Sequence, residues 1–281
     1  MKKNTTGQNI IIYVLLFILG AAFLFPFLWM VSTALKPTKE IMSTTPRFFV
    51  RPLLFKNFII CLNYQNFKFT LYARNTLYLC FLSVIGIVLS SSLVAYGFSH
   101  IRWRGRNALF FLTLSTMMIP FPVVMTPLYA LFRTYGWLGS FKPLWIPTFF
   151  GGAFSIFLLR QFFMTITIPH DLTEAAHVDG AGEFRIFWQI ILPLAKPALL
   201  VVALFQFMGS WNDFLGPLIY LPDQNTFTLA VGLQFFQSQH GGTEWNLLMA
   251  ASTLVIAPVI FLFFLTQKTF IEGISLTGLK G

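Results

Sequence analysis

The chain has 281 residues, of which 56% are hydrophobic and only 10% charged, with a mean hydropathy of +0.73. A soluble globular domain carries about 25% charged residues, so this composition excludes a water-soluble monomer and makes lipid the solvent for most of the chain. The net charge of +10 does not mark a nucleic-acid binder, because the 19 Lys and Arg are scattered among loops between apolar runs and form no stripe.

A hydrocarbon core of about 30 Å calls for roughly 20 apolar residues of helix. Runs of that kind lie near 10–35, 75–99, 107–132, 143–165, 197–221 and 246–267. None alternates with period two, and backbone groups in lipid are satisfied only within helices or closed barrels. The expectation is an all-α membrane protein with six transmembrane helices. Lys2 and Lys3 ahead of the first run resemble a secretory leader, but the run is about twice too long and lacks a nearby small-residue cleavage site. It reads as a retained anchor.

Residues 36–73 form a long connection rich in aromatics, among them Phe48, Phe49, Phe55, Phe58, Tyr64 and Phe67. Cys61 falls in this loop and Cys80 in the second run. Without metal-ligand spacing, both read as small apolar residues. Arg102, Arg104 and Arg106 crowd the short loop after the second run. With the N-terminus inside, ten of the 19 cations lie inside and nine outside, seven of those between Lys36 and Arg74. That balance leaves the topology open on charge alone.

The informative connection is residues 169–193, which follow the fourth run and hold four of the nine acidic residues, Asp171, Glu174, Asp179 and Glu183. Asp171 with Glu174 fits a capping box, so a short helix should start after Asp171. Ala175 and Ala176 keep one side of it narrow, and Gly180 is placed to end it. Phe184, Phe187, Trp188 and Ile191 then recur at helical spacing. Pro193 should break that turn, and Pro197 should sit in the first turn of the next span. A surface-lying linker with Glu174 as a mere cap fits the same periodicity.

Asp213 is the only acidic residue inside the runs. At 1.5 Å per residue it lies roughly 25 Å from Pro197. An ionisable group in a span is a functional candidate, although Asn212 and Asp213 could equally brace a helix interrupted at Gly216-Pro217. Residues 222–246 make the last long connection. The C-terminal stretch Gly273–Gly278 has the glycine spacing of a nucleotide loop, but Leu279 stands where the lysine belongs. His170 and His177 are seven apart without a zinc motif and read as solvated surface.

Glu174-Ala175-Ala176, then Gly180, Ile190 and Leu192-Pro193 match at every position the EAA signature of bacterial ATP-binding-cassette importer permeases. The chain resembles the sugar-permease branch of that family, the kind to which the maltose importer's G subunit belongs. Arg74-Asn75-Thr76, Trp211-Asn212-Asp213, Gly216-Pro217, Glu244-Trp245-Asn246 and Met249-Ala250-Ala251 support the resemblance. The tail departs from the family's small-residue run at Ser275, Leu276 and Thr277.

The resemblance implies a binding-protein-dependent sugar importer of the bacterial inner membrane, with this subunit forming half of the path. The EAA loop and both termini would be cytoplasmic, and 36–73 and 222–246 external. Glu174, Ala175, Ala176, Asp179 and Gly180 would contact the ATPase as a coupling helix. Trp211, Asn212 and Asp213 would line the solute path, and Phe235, Phe236 and Gln237 would face the solute-binding protein. Partners would be a second permease and two ATPase subunits. ATP and Mg would bind those subunits, leaving this chain without cofactor or catalytic residues. Polyol-glycoside and glycerol-phosphate importers share the motifs. An ion-driven secondary transporter would call for more spans and internal repeats.

Overall fold

A computed structural model describes residues 6–41, 47–48, 51–164, 170–237 and 242–278, and every regular element among them is helical. The principal helices are α1 (Thr6–Ala34), α2 (Phe69–Ser99), α3 (Arg106–Ser115), α4 (Phe121–Thr134), α5 (Ala153–Met164), α6 (His170–Val178), α7 (Lys196–Trp211), α8 (Leu215–Tyr220) and α9 (Trp245–Gly278). Four stretches are long and apolar enough to cross a bilayer: Gly7–Ala34, Phe69–Ser99, Lys142–Met164 and Trp245–Gln267. Two bent helix pairs bring the number to six if each counts as one span.

The residues fall into two compact units. The first comprises Met1–Thr70 and Gly232–Pro258. In it, the side chain of buried Asn57 closes the end of α1, its Nδ2 donating to the carbonyls of Ala34 (2.8 Å) and Lys36 (3.1 Å). Those carbonyls have no partner within the helix, so the side-chain amide replaces the missing turn. The Lys36 ammonium lies 4.4 Å from the Trp29 ring centroid, and its burial lowers its pKa. Cys61 is not in an open loop. It is buried at the start of a single turn, Cys61–Asn63, and burial pushes its thiol up to about 11.

The second unit comprises Leu71–Val231 and Val259–Gly281. Its centre is α2, whose inward side carries small residues: Ser83, Gly86, Ser91, Ser92 and Ala95 are all buried. Without a hydrophobic drive between helices in lipid, small residues gain contact by close backbone approach. The approach is tightest at Gly86, where a Cβ would lie 2.4 Å from atoms of both Thr148 and Phe149. Ser90 Oγ donates to the Thr148 carbonyl (3.0 Å), and Ser91 Oγ accepts from the Gly152 N–H (3.2 Å).

Several boundaries differ from the sequence expectation. The second span begins at Phe69, not near 75, and the last helix continues past 267 to Gly278. The run 107–132 is not one rod, for α3 with the turn Thr116–Met118 meets α4 at 98°. Ile119 precedes Pro120 and is pushed into extended backbone (φ −84, ψ 112). The fifth run is interrupted at 212–214, between α7 and α8, and Gly216-Pro217 lie inside α8. Residues 165–169, where the fourth span was expected to end and the connection to begin, lie outside the described residues. In the tail, the helix is described to Gly278, but the side chains beyond 267, including Ser275, Leu276 and Thr277, lie outside the described residues.

Gly86 gives a direct test of the close helix approach. Gly86→Ala should cost about 1–3 kcal/mol by overpacking and lower the melting temperature of the purified protein. Gly97→Ala, where a Cβ meets nothing within 4 Å, should leave it unchanged or raise it slightly, as alanine favours helix.

Candidate functional site

The connection between α5 and α7 folds into a helix, a tight reversal and a second helical stretch. Helix α6 ends in a pair of bonds that only a left-handed residue allows. Gly180 has φ +79, its N–H donates to His177 O (3.0 Å), and the Ala181 N–H reaches Ala176 O (2.9 Å). Asp171's side chain lies outside the described residues, so the expected capping box is not described there; the same holds for the side chain of His170.

The two sides of α6 differ sharply. Glu174, Ala175, Asp179 and Gly180 are exposed, while Thr173 is buried and Ala176 is half-buried against the core. Val178 is 88% exposed and Leu172 46%. Sequence periodicity gave Val178 no role, since a lone valine beside a glycine turn carries no pattern.

The stretch after Gly182 is anchored, with Ile186, Phe187, Ile191 and Ala195 buried with Ala95, Tyr96, Leu159 and Phe163. Phe184 and Trp188, expected on the same packed side as Phe187 and Ile191, instead face out at 73% and 53% exposure, with their rings stacked. The winding explains the split. Residues Phe187–Ile191 adopt the wider π-helical turn, which shifts the register of the side chains. Pro193, which lacks an N–H, sits just beyond in Leu192–Leu194 and does not break the chain. The break falls two residues later at Ala195 (φ −86, ψ 4), where α7 departs at 78°. Pro197 occupies the first turn of α7, as expected.

A cavity of about 400 Å³ lies beside α6, lined among others by Tyr96, His100, Arg102, Arg106, Glu174, His177 and Glu183. His177 is half-exposed and not merely solvated, because its Nε2 lies 3.5 Å from Glu183 Oε1. The Tyr96 hydroxyl donates to the other oxygen of that carboxylate.

The three candidates in the fifth run have separate fates. Trp211 is 3% exposed and stacked on Phe207 at 5.3 Å, so its ring belongs to the core and is not offered to a solute. Asn212 is exposed, with its Nδ2 donating to Met208 O (2.8 Å). Asp213 Oδ1 accepts from the Gly216 N–H (3.0 Å), capping α8 across the interruption. The carboxylate also lines a cavity of about 370 Å³ with Phe121, Leu144 and Tyr220.

Of the external candidates, Gln237 is exposed and Phe235 half-buried. Phe236 is 2% exposed and packs on Tyr64 (5.4 Å) and Phe67 (4.9 Å), which removes it from any surface. Burial, and then the charge of Glu244, raises the Tyr64 pKa.

A family model described as the binding-protein-dependent transport system inner membrane component matches residues 83–275. An arabinooligosaccharides transport system permease protein of Bacillus subtilis is 33% identical over 265 residues, covering 94% of this chain and 92% of that protein. A trehalose/maltose transport system permease protein of Thermococcus litoralis is 31% identical, covering 92% of each. An sn-glycerol-3-phosphate transport system permease protein of Yersinia enterocolitica is 31% identical, covering 98% of each. Among solved structures, a chain of a bacterial ABC transporter involved in the import of the acidic polysaccharide alginate superposes with a TM-score of 0.79. That match has 24% identity and covers 95% of this chain and 99% of that one, a likeness of fold.

The cap at Asp213 yields a second test. Asp213→Asn keeps an acceptor for the Gly216 N–H and should unfold near the wild-type temperature. Asp213→Leu leaves that N–H without its partner and should lose about 1–2 kcal/mol, read as a lower melting temperature.

Proposed function

The chain belongs to the family of binding-protein-dependent transport system inner membrane components, and from that premise we propose that it forms half of the path of a carbohydrate importer driven through the loop 170–194. As such a permease it is a multi-pass membrane protein and a transport subunit. Six spans follow if α3 and α4 together make the third and α7 and α8 the fifth, with the helical stretch 183–194 outside the bilayer. Arg185 and Lys196 at its ends favour that placement. Both termini would then be cytoplasmic, and 36–73 and 222–246 external.

One observation carries the coupling role: α6 and the turn that ends it hold Glu174, Ala175, Val178 and Asp179 outward while the other side of α6 and the helical stretch after Gly182 pack into the bundle. An element whose exposed side joins small residues, the apolar side chains of Leu172 and Val178 and two carboxylates fits a cleft with basic groups. Alanine lets two backbones approach, Glu174 and Asp179 supply charge, and Val178 supplies an apolar anchor. The matching cleft would be on the ATPase subunit, where ATP and Mg bind. The remaining partners would be a second permease and an extracytoplasmic solute-binding protein, the latter near Phe235 and Gln237. Asn212 and Asp213, the latter lining the cavity beside Phe121 and Tyr220, are the candidates left for the solute path.

A sugar or oligosaccharide is the solute that the arabinooligosaccharide and trehalose/maltose relatives favour. The glycerol-phosphate relative supports a second reading. Binding of each solute class to the cognate solute-binding protein separates the two.

Glu174→Ala and Gly180→Leu should leave the subunit inserted and the complex assembled, yet lower solute uptake per ATP by about tenfold, the effect of losing roughly 1.4 kcal/mol at a docking contact. Assembled mutants that keep wild-type uptake per ATP would contradict the assignment.

A further inference from the structure

Helix α6 joins the rest of its unit through a soft backbone. Gly180 is left-handed and Gly182 extended, and a Cβ at either would meet nothing within 4 Å. A push on α6 therefore has little stiffness to travel along in the main chain. Side chains bridge the joint instead. His177 on α6 lies 3.5 Å from Glu183 Oε1, just past the reversal, and the other carboxylate oxygen of Glu183 accepts from the Tyr96 hydroxyl on α2.

Tyr96 is itself held firmly. It is 5% exposed, with its ring stacked on His100 at 5.1 Å and tilted against Phe187 at 5.2 Å. The end of α2 around it is tied down as well. Ser99 Oγ is 2.8 Å from His100 Nδ1, and the Arg106 guanidinium donates to the carbonyls of Ser99 (3.4 Å) and Ile101 (3.2 Å). The charged groups facing the carboxylate across the cavity are Arg102, Arg106 and Glu174.

We propose that Glu183 is a positioning residue, a fork whose two oxygens hold α6 through His177 and α2 through Tyr96, so that displacement of α6 reaches the second span directly. This rests on the coupling role of α6 given above. The competing role for Glu183 is local, an acidic group in the first turn of Glu183–Ile186. In that role the Tyr96 hydroxyl would not matter. The fork requires it, because without that hydrogen bond the joint is bridged on one side only.

The test uses the assembled importer in proteoliposomes, and reads ATP hydrolysis with and without the solute-binding protein. Tyr96→Phe keeps the ring contacts and deletes the donor. It should leave assembly and basal hydrolysis unchanged and lower the melting temperature no more than Glu183→Ala does, while the stimulation by the binding protein falls by about fivefold or more, the scale of a coupling interaction. Glu183→Gln, which keeps an acceptor for Tyr96, should lose less than Glu183→Ala. The double variant Tyr96→Phe/Glu183→Ala should be no worse than Glu183→Ala alone. Wild-type stimulation in Tyr96→Phe, or additive losses in the double variant, would overturn the fork. Absence of any ATPase in the purified wild-type complex would instead sink the coupling reading beneath it.

Discussion

In hydrocarbon a freed backbone amide or carbonyl has no water to turn to, so each interruption of a spanning helix must be satisfied by the protein itself. This constraint explains where the polar side chains of the membrane-embedded part are spent. At the Gly151–Gly152 break, Ser91 accepts from the Gly152 N–H and Ser90 donates to the Thr148 carbonyl. At the interruption after α7, Asn212 returns its side-chain amide to Met208 O, and Asp213 takes the Gly216 N–H. The buried serines of α2 are thus both spacers, permitting close approach at Gly86, and hydrogen-bond partners for the neighbouring break.

The connection between α5 and α7 obeys the opposite rule. It concentrates the chain's acidic residues, closes its first helix with a glycine that needs no supporting neighbour, and leaves Val178, Phe184 and Trp188 uncovered. Uncovered apolar side chains next to carboxylates, on an element anchored by Ile186, Phe187 and Ile191, are what the proposed docking of α6 on an ATPase subunit calls for. Membership in the importer permease family supplies the kind of assembly in which such a surface operates. The same anchoring explains how a force applied there would be felt inside, because the buried side chains of the second half pack on Tyr96, Leu159 and Phe163 of the spans.

Hydropathy made the existence of the spans legible, because run length and lack of charge depend on local composition alone. Gly180 was equally legible, since the sharp reversal needs a left-handed residue and the bonds around it are local. Hidden features depend on what lies across from a residue. Trp211 and Phe236 looked like free aromatics suited to a solute or a partner, yet Phe207 covers one, and Tyr64 and Phe67 cover the other. Pro193 looked like a breaker, but the wider winding of Phe187–Ile191 absorbs it and moves the bend to Ala195. Pro120 in the middle of an apolar run carried the signal of the 98° bend, although proline alone does not distinguish a kink from a reversal. His177 and Tyr96 meet at one carboxylate only because α2 returns to this end of the bundle, and no spacing in the sequence records that.

The central claim is that the outward side of α6 is the contact through which nucleotide-driven closure enters the membrane part. Site-directed cross-linking from that side tests it most directly, with single cysteines replacing Ala175 or Val178 in a chain whose Cys61 and Cys80 have been replaced by alanine. A short bifunctional reagent should join both positions to the ATPase subunit in the assembled complex, and a cysteine replacing the exposed Arg51 in the 36–73 connection should give no such product. If 175 and 178 remain unlinked in a complex that retains its ATPase, the contact lies elsewhere and the account of α6 as the coupling element is wrong.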